Sequence, residues 1–184
     1  MIKKRFFIAI GLVLVVLSIY LFIEKSVDNR TGTTEGETKD IKELVHDYSM
    51  GNFTNHAASI SSEQLVVTNS DESKLTYELP ENEFFVSIAP YIENTHPCAV
   101  HSLTGCRGEM VDEDFIVYIE DTEGNVILDK TLKSQSNGFL DLWLPRDKSF
   151  RITITHDDKI AQSEFSTFDD DDTCITTIQL EKQV

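Results

Sequence analysis

From Glu83 to Leu180 the chain is a succession of short apolar runs broken by turn residues. The runs are Phe84–Ala89, Asp114–Glu120, Val126–Leu132, Phe139–Leu144, Phe150–His156, Ile160–Phe165 and Thr173–Leu180. Glu123-Gly124-Asn125, Ser136-Asn137-Gly138, Pro145-Arg146-Asp147 and Asp157-Asp158 separate most of them. Runs this short bury an apolar face only by packing against one another. The spacing predicts an antiparallel β-sandwich-like domain of about seven strands over residues 81–184. Trp143, the single tryptophan, lies between Leu142 and Leu144. It reads as core or as a wedge between sheets.

The segment before this domain has a different period. Ile41, Leu44, Val45 and Tyr48 stand at i, i+3, i+4 and i+7, one face of a helix. Thr38 or Asp40 is placed to cap it, and Gly51 to end it. A second helical piece is expected over Asn55–Ser62, followed by Leu65-Val66-Val67. Residues 38–80 therefore read as a small, mostly helical module, and the fold class as α+β. Residues 31–37 (TGTTEGE) carry no apolar period and read as a flexible tether.

Residues 1–30 set the compartment. Lys3, Lys4 and Arg5 precede an uncharged apolar run from Phe6 to Ile23. As a helix the run is about 27 Å long, close to the roughly 30 Å hydrocarbon core of a bilayer. Basic residues on the amino-terminal flank place the remainder on the extracytoplasmic face. Cleaved signal peptides have shorter apolar regions and a small-x-small site, and Glu24-Lys25-Ser26-Val27-Asp28 offers none. The expectation is one transmembrane signal anchor. A soluble periplasmic or secreted protein, released by cleavage, is the alternative.

The net charge is −16. Five bases of the first thirty residues (Lys3, Lys4, Arg5, Lys25, Arg30) outnumber Glu24 and Asp28, so the acidity belongs to the exported part. Such a surface repels phosphate backbones and excludes nucleic acid as a partner. It is compatible with cations. The run Asp169–Asp172 lacks the spaced ligands of a calcium loop and reads as a solvated turn.

Residues 91–113 (YIENTHPCAVHSLTGCRGEMVDE) show neither strand nor helix period. Irregular segments this long are often functional. This one holds Cys98 and Cys106, His96 and His101, and Met110, while Cys174 opens the final apolar run. The three cysteines exclude a framework that pairs every cysteine within one chain. Three converging thiolates suit a soft ion, Cu(I) first. Zinc, the second candidate, prefers a fourth ligand, which His96, His101 or water could supply. A Cys98–Cys106 disulfide with Cys174 left free is the competing assignment. A dithiol that oxidises can also pass electrons to a metal. His46, His56 and His156 read as ordinary histidines, and Met110 as core filler. Nucleophile-elbow, phosphate-loop and zinc-protease motifs are absent from the sequence.

NHAASISSEQLVV (55–67), LPENEFFVSIAPYIENTHPCAVHSLTGCRGEM (79–110), SQSNGFLDLWLPRD (134–147) and FSTFDDDDTCITTIQL (165–180) resemble the CueP family of exported copper-binding proteins. The resemblance runs from about residue 40 to 182. It implies copper handling through Cys98, Cys106 and Cys174. It also implies a helical amino-terminal part used for dimerisation and a β-rich copper-binding domain. For function it implies copper resistance, storage, or delivery to an extracytoplasmic acceptor such as a copper/zinc superoxide dismutase. Thiol-based reduction of Cu(II) to Cu(I) is a further implied activity. The apparent anchor at residues 6–23 departs from a soluble periplasmic member.

Overall fold

The computed structural model describes residues 35–182. The expected anchor at residues 6–23, and with it the membrane contact, lies outside them, as do residues 31–34 of the tether. Among the described residues no helix is long and apolar enough to cross a membrane.

Helix α1 spans Glu35–Ser49, so it starts within the expected tether rather than at Thr38. Its buried residues are Ile41, Val45 and Tyr48, with Leu44 partly covered, which is the face the spacing predicts. Gly51 ends it at φ +74, a left-handed conformation that glycine adopts without steric cost. Met50 N–H still donates to the His46 carbonyl, and Asn52 N–H to that of Asp47.

The strands are β1 (Ala57–Ile60), β2 (Gln64–Thr68), β3 (Lys74–Glu78), β4 (Glu83–Ile88), β5 (His101–Ser102), β6 (Asp114–Asp121), β7 (Val126–Lys133), β8 (Leu140–Pro145), β9 (Ser149–His156), β10 (Lys159–Ser166), β11 (Cys174–Ile175) and β12 (Glu181–Lys182). They form three sheets, ordered β3-β2-β1-β5, β12-β10-β9-β6-β7 and β11-β4-β8. The small third sheet is buried on both faces. Phe84, Val86, Ile88, Leu140, Leu142 and Leu144 pack against Phe115, Val117, Ile119, Phe150, Ile152 and Ile154 of the five-stranded sheet. On the other face Phe85 and Trp143 join α1 and the four-stranded sheet through Val45, Ile60, Leu65 and Leu103. A strand covered on both sides needs apolar residues at successive positions, not alternate ones. Phe84-Phe85-Val86 meets that need. Trp143, 5.3 Å from the Phe85 ring, is the expected wedge.

The β-sandwich-like expectation holds in its antiparallel sheets, with three corrections. Asn55–Ser62 is not helical. Ala57–Ile60 is a strand paired on both sides, to β2 and β5. Ala58 and Ile60 point inward and their neighbours outward, so pairing overrides the helix preference of Ala57-Ala58. The module over residues 38–80 thus contains one helix and three strands rather than being mostly helical. Second, Thr173–Leu180 is not one continuous antiparallel strand. β11 pairs parallel to β4, Tyr91 bridges Gln179, and β12 pairs with β10. Third, β3 carried no signal. All its residues are exposed, so no inward-outward alternation marked it.

Asp121 closes the β6–β7 turn. Its Oδ1 accepts the N–H groups of Glu123 and Asn125 at 3.0 and 2.9 Å, and the Asn125 amide and the Lys148 ammonium also donate to the carboxylate. The Asn125 bonds above all hold this carboxyl down to about 2. A free aspartate titrates near ~3.9. The group therefore stabilises the fold at every pH above that value, and the contribution fades as pH falls toward 2. Asp121→Asn should lower stability at pH 7 and lose most of its effect by pH 2. Urea unfolding of both chains at the two pH values checks this.

Candidate metal centre

The site is built where the four-stranded and three-stranded sheets meet. His101 belongs to β5 and pairs with Ile60 of β1. Cys174 belongs to β11 and pairs with Ser87 of β4. Thr173 ties the two sheets together. Its hydroxyl donates to the Ile60 carbonyl at 2.6 Å and accepts the His101 N–H at 3.1 Å. Cys174 N–H donates to the Ala99 carbonyl at 3.1 Å, fixing the loop between the two cysteines of residues 91–113.

Local turns set the other two sulfurs. Cys106 N–H donates to the Ser102 carbonyl at 2.9 Å, and Ser102 Oγ accepts from Gly105 N–H. Arg107 donates to the Cys106 and Thr104 carbonyls. Glu109 returns to the start of the loop, where it accepts the N–H groups of Ile92 and Glu93. Thr176 Oγ1 donates to the His96 carbonyl. Gly108 N–H donates to the Asn137 carbonyl at 2.7 Å, and the two backbones touch. A methyl group on Gly138 would lie 2.7 Å from Gly108 O, and one on Gly108 would meet the Gly138 carbonyl. The irregular loop is therefore held by side chains and backbone contacts rather than by a ladder.

One donor atom each from Cys98, His101, Cys106 and Cys174 lies within 4.8 Å of the others. Cys98 Sγ is 3.5 Å from Cys106 Sγ, and His101 Nδ1 is 3.3 Å from Cys174 Sγ. All three cysteines are free thiols, Cys174 buried and the other two half-buried. His101 is fully buried, with its ring 4.5 Å from that of Phe139 and 6.3 Å from that of Phe85. Its Nε2 has no hydrogen-bond partner.

Burial governs the electrostatics. It pushes the Cys174 thiol strongly up, and Cys98 and Cys106 add to the shift. It also raises Cys98, where Cys106 and the Asp172 carboxylate add while a hydrogen bond with Cys174 opposes. It lowers the His101 imidazole to about 4, against the pull of the Asp141 carboxylate. The imidazole is thus neutral at pH 7, the form that ligates metals. Soft sulfur donors beside a neutral imidazole suit a soft cation, which displaces thiol protons as it binds.

Of the residues singled out in the sequence, Cys98, Cys106, Cys174 and His101 come together. His96 does not join them. Its ring lies 6.4 Å from that of Phe139. Met110 is buried in the larger core. Asp169 pairs with Arg146. His56 meets Asn69, and His156 meets the Asp114 carbonyl. Thr173 was missed as a functional residue, because nothing in Asp-Thr-Cys announces a hydroxyl shared between two sheets.

Fold and site define a β-sheet protein with three thiols and one imidazole gathered as soft-metal donors. The family model described as periplasmic copper-binding protein CueP matches residues 40–179. The chain belongs to that family of periplasmic copper-binding proteins. The crystal structure of S.CueP is similar to it, with a TM-score of 0.72 and 31% identity over 88% of this chain and 96% of that one. No curated protein matches.

Gly108→Ala should cost about 2 kcal/mol, the scale of overpacking a filled site. Urea unfolding measures it, and an unchanged midpoint would show that the loop is held otherwise.

Proposed function

We propose that this chain binds one copper ion as Cu(I) through Cys98, Cys106 and Cys174, with His101 as a fourth donor. The observation that carries the reading is the gathering of these four donor atoms within 4.8 Å. Copper is cargo here. Soft thiolates favour Cu(I) over harder ions. The same donor set is also a zinc set, so zinc is the competing occupant. The acidic exported domain would be tethered through residues 6–23 to the outer face of the cell membrane, and could pair with a second copy through its amino-terminal part. Held there, it would bind copper for resistance or storage, or pass it to an extracytoplasmic acceptor such as a copper/zinc superoxide dismutase.

The Cys98–Cys106 approach at 3.5 Å favours a second reading. Two thiolates can reduce two Cu(II) ions to two Cu(I), each losing one electron as the S–S bond forms. Repeated turnover then needs an external thiol donor to reopen that bond. A single stoichiometric burst is the binding protein's behaviour. Sustained reduction with the donor present is the reductase's.

Titration of the reduced protein against a Cu(I) chelator tests the main reading. Cys174→Ser should weaken binding on the order of 100-fold, ~2.7 kcal/mol at about 1.4 kcal/mol per tenfold. Unchanged affinity would remove the third thiolate.

A further inference from the structure

Cys98 and Cys106 reach the centre on two arms of the irregular loop, residues 92–99 and 103–110. The first arm is rooted at Tyr91, whose N–H donates to the Ile178 carbonyl and whose carbonyl accepts Leu180 N–H. From there it follows the last run of the chain. Gln179 donates to the Ile92 carbonyl, the Thr95 hydroxyl to the Thr176 carbonyl and the Thr176 hydroxyl to the His96 carbonyl. Cys174 N–H donates to the Ala99 carbonyl. These bonds place Cys98 against the run that carries Cys174. The second arm is rooted elsewhere. Cys106 N–H donates to the Ser102 carbonyl, and Gly108 N–H to the Asn137 carbonyl in the loop before β8. Ser102 itself pairs with Ser59 of β1.

Among the described residues, one side chain makes every hydrogen bond between the two arms apart from the sulfur contact itself. Glu109 Oε2 accepts Ile92 N–H at 2.6 Å and Glu93 N–H at 3.0 Å. Its Oε1 lies 3.2 Å from the Glu93 N–H and 3.4 Å from the Asn94 amide nitrogen. Successive backbone N–H groups turned to one point form a cradle for an anion. Hydrogen bonds to a carboxylate are also shorter and stronger than neutral ones. Neither arm has a strand ladder that would do this work instead. Arg107 bonds only within its own arm, to the Thr104 and Cys106 carbonyls.

We propose that Glu109 is a positioning residue for the metal centre: its carboxylate fastens the Cys98 arm to the Cys106 arm and so sets the separation of the two sulfurs. The proposal rests on the reading of Cys98 and Cys106 as donors to one ion. Glu109 is exposed, stands three residues beyond Cys106 and is not among the converging donors. Donors held in place before the ion arrives need no ordering when it binds, and affinity rises by the ordering that is avoided. Glutamine at this position keeps the shape of the side chain. It loses the charge and turns one oxygen into an NH2 that cannot accept an N–H.

Titration of the reduced full chain against a Cu(I) chelator tests this in three backgrounds. In the otherwise unchanged chain Glu109→Gln should weaken Cu(I) binding about tenfold, the lower end of what outer contacts contribute to metal affinity. It should do the same in a Cys174→Ser background, where Cys98 and Cys106 still share the ion. In a Cys98→Ser background, where the first arm carries no donor, it should change nothing. A merely structural role predicts an equal loss in all three. That equal loss overturns the proposal, as does unchanged affinity in a folded Glu109→Gln chain. Amide hydrogen exchange of the unsubstituted, metal-free chain needs no variant. Ile92 and Glu93 N–H should exchange slowly, and exchange at open-chain rates overturns the proposal. Failure of the donor set shows separately, as unchanged Cu(I) affinity in Cys98→Ser alone, and removes the proposal with it.

Discussion

The candidate centre depends on one hydroxyl. Thr173 Oγ1 sits between the Ile60 carbonyl and the His101 N–H, and all three groups are buried. Both partners belong to the four-stranded sheet, on β1 and β5, while Thr173 immediately precedes β11 of the three-stranded sheet. The next residue, Cys174, brings its sulfur to the His101 ring. This join, with the Cys174 N–H bond to the Ala99 carbonyl, holds His101 and Cys174 of two different sheets at a fixed distance. Their separation in the chain is spanned by most of the five-stranded sheet, so the site exists only once the long-range pairing of β11 with β4 has formed.

Burial then decides what kind of site it is. Burial pushes the Cys174 and Cys98 thiols up and holds the imidazole as a free base. An acidic protein of net charge −16 has ample carboxylates, yet none is among the four converging donors. Hard oxygen donors are kept out and soft ones kept in. Donor type matters for a metal site, because raw affinity alone does not sort metals. The acidic surface attracts cations in general.

Much of this was legible in the sequence, for physical reasons that differ between regions. The strands β6, β8 and β9 alternate, and turn residues bound these and β7 and β10, so the spacing revealed them. The helix face Ile41, Val45 and Tyr48 was equally plain. β1 was misread because Ala57-Ala58 favours a helix locally and only its two neighbours make it a strand. β11 was overextended because the parallel pairing to β4 stops after Ile175, where Thr176 turns to the loop. At the site, cysteine chemistry and the long irregular loop pointed to the three thiols. His96 and His101 could not be told apart, since both bracket Cys98. Only the pairing of His101 with Ile60 turns one of them inward.

In the proposed centre three sulfurs and one nitrogen share a single copper ion. X-ray absorption at the copper edge of the Cu(I)-loaded protein tests it most directly. Three sulfur neighbours are expected, at a length near the roughly 2.3 Å of metal–thiolate bonds, with one imidazole nitrogen. Two sulfurs without a third, or a shell of nitrogen and oxygen alone, would contradict it.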